Sequence, residues 1–350
     1  MSKSTRGIYF EDFEVGVTFV HPTPRTLTSG DVSFYIAATG SRFALSSSNT
    51  FATRLGYDAA PIDDVLAFHM AFGQTVQLSL NSVANLGYAE CRFLKNLYPG
   101  DTMTATSKII GVKQTSSGKT GIVYFRCRAV DQSGDPVVEF VRWEMIRKRH
   151  EGSPAPKTVI PHLSQAVEPK DLPSDRLGDW RDYDYQLAGS PHAWEDYELG
   201  ERIDHIDGMT LEEAEHVMIT RLYQNTSKLH VNQFTAATER FGRRLVYGGH
   251  VISIARALTF NGLQNAQSLL AINGGVHCAP CFAGDTVFAW SEVLGKDELP
   301  GRSDVGALRL RLVAAKERFC DDFPYKNDDG SYADGVILDL DYWAAVPRRQ

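Results

Sequence analysis

The sequence predicts an α+β fold made twice over: a very apolar helix followed by an antiparallel meander that wraps it, in two tandem copies. Three observations predict it. First, Tyr9-Phe10-Glu11-Asp12-Phe13-Glu14-Val15-Gly16 returns as Ala193-Trp194-Glu195-Asp196-Tyr197-Glu198-Leu199-Gly200, pairing Phe10 with Trp194 and His21 with His205 at an offset of 184 (194 − 10). Second, Pro99-Gly100-Asp101-Thr102 still meets Ala283-Gly284-Asp285-Thr286 at that offset, 90 positions later (99 − 9). A spacing held over such a distance marks an internal duplication, not a short-period solenoid. Third, each copy carries one apolar run of helix length and then several strand-like segments separated by Ser-, Gly- and Asp-rich turns.

In the first copy, Val65-Leu66-Ala67-Phe68-His69-Met70-Ala71-Phe72 and the residues to Leu80 form the apolar run. Strands follow near 89–97, 102–113, 121–131 and 136–147, with hairpin turns at Ser116-Ser117-Gly118-Lys119 and Gln132-Ser133-Gly134-Asp135. The second copy repeats the order, with a helix over 249–261 and strands near 274–282, 286–294, 305–316 and 335–345. The polar run 319–333 reads as a loop insertion. The predicted division is residues 1–149, a Pro-rich linker at 150–191 draped over the surface, and residues 192–350.

Bulk composition agrees with two cores. The chain has 350 residues, 43% hydrophobic and 23% charged, more than one compact domain needs. A net charge of −7 argues against a nucleic-acid partner. No apolar run is long enough to span a bilayer, and the start lacks an apolar signal region, so no membrane partner is expected. Five cysteines, an odd number, suit reduced thiols and a cytoplasmic location better than a disulfide framework.

The chemistry-bearing stretch is Tyr223-Gln224-Asn225-Thr226-Ser227-Lys228-Leu229-His230. It places an amide and an imidazole five positions apart, upstream of the pair Gly248-Gly249 at the head of an apolar helix. An imidazole can move protons near neutral pH, and backbone N–H groups at a helix start can hold an oxyanion. Taken alone, His230 reads as a surface residue of an alternating strand, Asn225 as a turn residue and the glycines as a turn. A regular helix would put residues 225 and 230 about 140° apart, so one water can touch both only if the segment leaves helical geometry.

These residues resemble the MaoC-like hot-dog hydratases and dehydratases, whose motif S/T-G-D-x-N-P-x-H carries an aspartate and, five residues later, a histidine. Asn225 and His230 occupy those positions in the second copy, and Ser41 and Ser46 in the first. The resemblance covers nearly the whole chain and implies a double hot-dog with one catalytic half. Within the family, the first half's Gly-Ser-Arg-Phe-Ala-Leu and the second half's Tyr-Gln-Asn-Thr-Ser-Lys-Leu-His are most similar to the branch acting on mesaconyl-CoA (2-methylfumaryl-CoA). The implied reaction is its reversible hydration to β-methylmalyl-CoA, with His230 as acid and base, Asn225 orienting water, and N–H groups at Gly248 and Gly249 as the oxyanion hole. Asparagine cannot ionise, so the usual aspartate/histidine division of labour does not transfer. No cofactor or metal is implied, CoA being part of the substrate, and such pseudo-dimers are expected to associate into a dimer of double hot-dogs.

Around that core several further expectations stand. Arg42, Arg221, Arg243 and Arg244 are candidates to hold the acyl carboxylate bidentately. Asp63-Asp64 occupy the glycine region of the first copy, where carboxylates would repel an enolate. His250 reads as a helix-start residue, Glu239 as a solvated helix residue, and Cys278-x-x-Cys281 as buried strand thiols, since no second ligand pair appears. The alternatives are a hot-dog thioesterase, which Asn225 would suit, and a non-catalytic acyl-CoA-binding subunit.

Overall fold

The structure, a computed structural model, describes residues 3–350. The strands are β1 Thr18–Thr26, β2 Ser82–Phe93, β3 Thr102–Gln114, β4 Thr120–Val130, β5 Pro136–Arg147, β6 Arg202–Thr210, β7 Ser268–His277, β8 Thr286–Glu298, β9 Val305–Lys316 and β10 Val336–Pro347. They form one ten-stranded sheet in the order β1-β3-β4-β5-β2-β7-β10-β9-β8-β6. The first five belong to the first copy and the last five to the second. The copies join where β2 and β7 run antiparallel, Tyr88 opposite Gly275 and Cys91 opposite Ile272.

Each copy wraps one helix, Asp64–Gln74 in the first and Gly248–Leu258 in the second. Residues 65–74 and 249–258 are buried throughout, as a helix apolar on every side must be. The two helices share one continuous core that also takes in Phe140, Tyr223, Tyr247 and Leu340. The duplication recurs as atomic detail. His21 Nε2 lies 3.0 Å from Ser107 Oγ, and His205 Nε2 lies 2.8 Å from Ser291 Oγ. Leu27 N–H donates to Asp101 O at 2.9 Å, and Leu211 N–H to Asp285 O at 3.0 Å.

Two expectations about element bounds change. Strands β2 and β7 begin at Ser82 and Ser268, ahead of the expected 89 and 274. Within them, a Cβ on Gly87 would lie 2.3 Å from the Trp143 ring, and one on Gly275 2.9 Å from Tyr88. Close packing requires glycine there. The first apolar run is two elements, since a 3₁₀ turn, Thr75–Ser79, follows the helix.

The linker is not simply draped over the surface. Trp180 is fully buried, and with Leu172, Leu177 and Tyr183 it builds a second core against Phe51, Leu270 and Trp343. Its backbone N–H donates to Asp304 Oδ2 at 2.7 Å. Proline and polar content hid the spaced aromatic and leucine anchors. The 319–333 run is irregular apart from one bridge, Lys326 to Tyr332.

Candidate active site

The helix Glu213–Leu222 ends at Tyr223, and Gln224 turns the chain with φ +57°. The matching residue of the first copy is Gly40, at φ +67° (224 − 184 = 40). Asn225 is buried, and its Oδ1 accepts the Ser227 N–H at 2.9 Å, an Asx turn that starts a four-residue helix, Lys228–Val231. The chain thus leaves helical geometry between 225 and 230, which brings both side chains to one cavity. Gly73 of the other copy's helix presses on this turn: a Cβ there would lie 1.5 Å from Tyr223 O.

His230 Nδ1 lies 3.0 Å from the Leu245 carbonyl. A carbonyl only accepts, so Nδ1 carries the proton and the neutral ring keeps its lone pair at Nε2. Burial holds its pKa below the ordinary histidine value, with the Leu245 bond opposing in part. The ring packs 5.4 Å from that of Tyr247, whose hydroxyl lies 3.4 Å from His69 Nδ1.

The cavity holds about 500 Å³ and draws on both copies. Phe72, Val76, Ser79, Asn85, Tyr88 and Glu144 come from the first; Asn225, His230, Tyr247, Gly248 and His277 from the second. Gly248 and Gly249 open the helix Gly248–Leu258, which has no side-chain cap, and neither N–H has a hydrogen-bond acceptor among the described residues. Such amides can bind a developing oxyanion. Only Gly248 lines the cavity. Gly249 faces the helix crossing, where a Cβ would lie 2.3 Å from Tyr247 and 2.7 Å from His69.

None of the four candidate arginines lines the cavity. Arg42 is exposed, pairs with Asp207 at 3.4 Å and lies over Phe260. Arg221 is exposed on its helix, Arg243 lies over Phe282, and Arg244 pairs with Glu213. The arginines that do line it are Arg147 and Arg240, and Arg147 pairs with Glu239 across the two copies at 3.1 Å. Glu239 therefore stands at a bend on the cavity wall and not on a helix. Cys278 and Cys281 follow strand β7 and do not lie within it; burial pushes both thiols up to about 12. His250 is buried at its helix start, with Nε2 3.1 Å from Glu215.

Sequence reasoning missed His277 and Tyr88. His277 ends β7, and its Nε2 lies 3.2 Å from Tyr88 Oη. Neither residue signals this in its own stretch, because the pairing of β2 with β7 brings them together.

The matching place in the first copy is filled. Ser41 is buried with no ring to offer, and Ser46 Oγ donates to Phe43 O at 3.4 Å. Asp64, at the Gly248 position, accepts from Leu269 N–H at 2.8 Å and Ser268 Oγ at 3.1 Å, and pairs with Arg176 of the linker at 3.0 Å. About 10 Å³ of space is left.

A family model described as mesaconyl-CoA hydratase matches residues 2–321. The chain belongs to the mesaconyl-CoA hydratase family. A β-methylmalyl-CoA dehydratase of Chloroflexus aurantiacus is 54% identical over 349 residues, 99% of each chain. A mesaconyl-CoA hydratase of Cereibacter sphaeroides is 53% identical, over 99% of this chain and 100% of its own. The crystal structure of a MaoC domain protein dehydratase from Chloroflexus aurantiacus superposes with a TM-score of 0.98 at 53% identity, covering 100% of both chains. A Mycobacterium tuberculosis protein described as a double hotdog fold, TM-score 0.77 at 24% identity, shares the fold. Membership in this family makes the chain a hydro-lyase with the MaoC-like double hot-dog fold.

Proposed function

We propose that the chain catalyses the reversible hydration of mesaconyl-CoA to β-methylmalyl-CoA, with His230 moving the protons. The observation that carries the residue assignment is the Leu245 carbonyl on His230 Nδ1, which leaves an unprotonated Nε2 on a residue lining the same cavity as Asn225 and Gly248. The substrate follows from the names of two relatives that align over 99% of this chain.

In the hydration direction, Nε2 takes a proton from water as the water oxygen bonds to the β-carbon. The double-bond electrons move through the α-carbon onto the thioester oxygen, where the Gly248 amide on the cavity wall meets the charge. Protonated His230 then delivers its proton to the α-carbon and the carbonyl re-forms. One water is consumed, His230 ends as it began, and no cofactor enters. Asn225 cannot take a proton, so its part is to orient the water. Dehydration runs the same steps backwards.

The test follows the enoyl-thioester absorbance with mesaconyl-CoA and then crotonyl-CoA. Absorbance should fall with mesaconyl-CoA, and His230→Ala should lower kcat by about 10²–10⁴-fold, the range for positioned acid–base groups. No change with either thioester would sink the reading, and full activity in His230→Ala would remove the residue assignment. Release of free CoA thiol without hydration would point to a thioesterase.

A further inference from the structure

His277 packs against the very residue that starts the helix Gly248–Leu258. A Cβ on Gly248 would meet its Cε1 at 2.4 Å, its Nε2 at 2.5 Å and its Nδ1 at 2.9 Å. The ring therefore leaves no room for a side chain at Gly248, on the cavity wall that both share with His230. Tyr88, buried and in edge contact at 5.9 Å between ring centres, puts its hydroxyl 3.2 Å from Nε2. Burial raises the Tyr88 phenol well above its usual range, so it remains a hydroxyl with a proton to give. Nδ1 of His277 has no hydrogen-bond partner among the described residues, although the ring is fixed on its other side.

We propose that His277 is a second catalytic residue of the hydration: Tyr88 donates to Nε2, and the neutral imidazole's Nδ1–H donates to the thioester oxygen beside the helix-start amides. The inference rests on the hydratase reading above and adds to it a side-chain donor for the enolate. Burial first, and then the nearby His230, push the His277 pKa down to about 4, so the ring is neutral at the working pH. A neutral imidazole suits this task, since it holds the oxyanion without giving up its proton. No proton moves to or from His277 in the reaction. His230 carries both transfers, and the charge on the thioester oxygen is met by the His277 N–H as well as the Gly248 amide.

The experiment uses the full-length chain. His277→Ala should lower kcat by about 10²–10³-fold, the usual loss for one oxyanion donor, with KM little changed. His277→Asn, which can place an amide N–H near Nδ1, should recover part of it. Tyr88→Phe should lower kcat less. In a His230→Ala background, whose turnover should be about 10²–10⁴-fold slower, the ¹³C-labelled thioester carbonyl of bound mesaconyl-CoA should absorb at lower infrared frequency than in solution. Adding His277→Ala should shrink that shift, which a merely structural role would not do. An unchanged shift, or wild-type kcat in His277→Ala, overturns the proposal while leaving the hydratase reading standing. If His277→Ala does not fold, Tyr88→Phe and His277→Asn decide it, wild-type kcat in both overturning the proposal. Failure of the wild-type chain to hydrate mesaconyl-CoA removes the hydratase reading and this proposal with it.

Discussion

His230 shows how little of a site belongs to the residue that names it. Its useful lone pair exists because the Leu245 carbonyl occupies Nδ1, and its neutrality at pH 7 follows from burial. The neighbouring glycines divide similarly. Gly248→Ala puts a methyl 2.4 Å from the His277 ring, which borders open cavity and can swing into it. That variant should fold and lose at least about tenfold in kcat/KM, because the displaced ring enters the acyl site. Gly249→Ala meets His69 and Tyr247 inside the helix crossing, with no space to yield. It should cost about 1–3 kcal/mol of stability by overpacking. Urea midpoints and kcat/KM for the pair check this; wild-type kcat/KM in Gly248→Ala would contradict it.

Among the elements, the two central helices begin alike in sequence position and oppositely in chemistry. One starts with uncapped amides facing a cavity; the other starts at Asp63-Asp64, where Asp63 caps Val65 N–H and Asp64 ties together β7 and the linker. The acidic pair therefore does more than repel an enolate, since it fills the place an enolate would take. Arg176 is nearly buried, so Asp64→Ala leaves its guanidinium without its ion-pair partner. The expected loss is about 3–5 kcal/mol, the range for breaking a buried pair, read from urea unfolding. Asp64→Asn keeps two acceptor contacts and should lose less. Equal stability of wild type and Asp64→Ala would refute the structural role.

Across the entire chain, burial of histidines sets a pH limit. His21, His205, His216 and His277 are pushed down to about 4 and His69 to about 3, in each case by burial first. The unfolded chain titrates them near 6.5, so between that value and about 4 it binds more protons than the folded chain. Their contribution is fully present above pH 6.5 and is lost as the pH falls towards 4. The thermal midpoint should be flat just above neutrality and fall steeply through this window; a midpoint unchanged down to pH 4 would refute the argument.

The duplication, the wrapped-helix class and the two residues at motif spacing are all legible in the order of amino acids. Each of these depends on local pattern: a repeated offset, an apolar run, a motif that must break its helix. Which other residues stand at the site is legible only in the folded chain. His277 and Tyr88 meet because β2 pairs with β7, and the four arginines miss the cavity because their side chains face solvent, acidic partners or aromatic rings. The linker's anchors make sense only once Trp180 has a core to enter. One cause underlies the division: backbone periodicity is encoded in neighbours along the chain, whereas a cavity is lined by residues that strand pairing and helix crossing bring together across 189 positions (277 − 88).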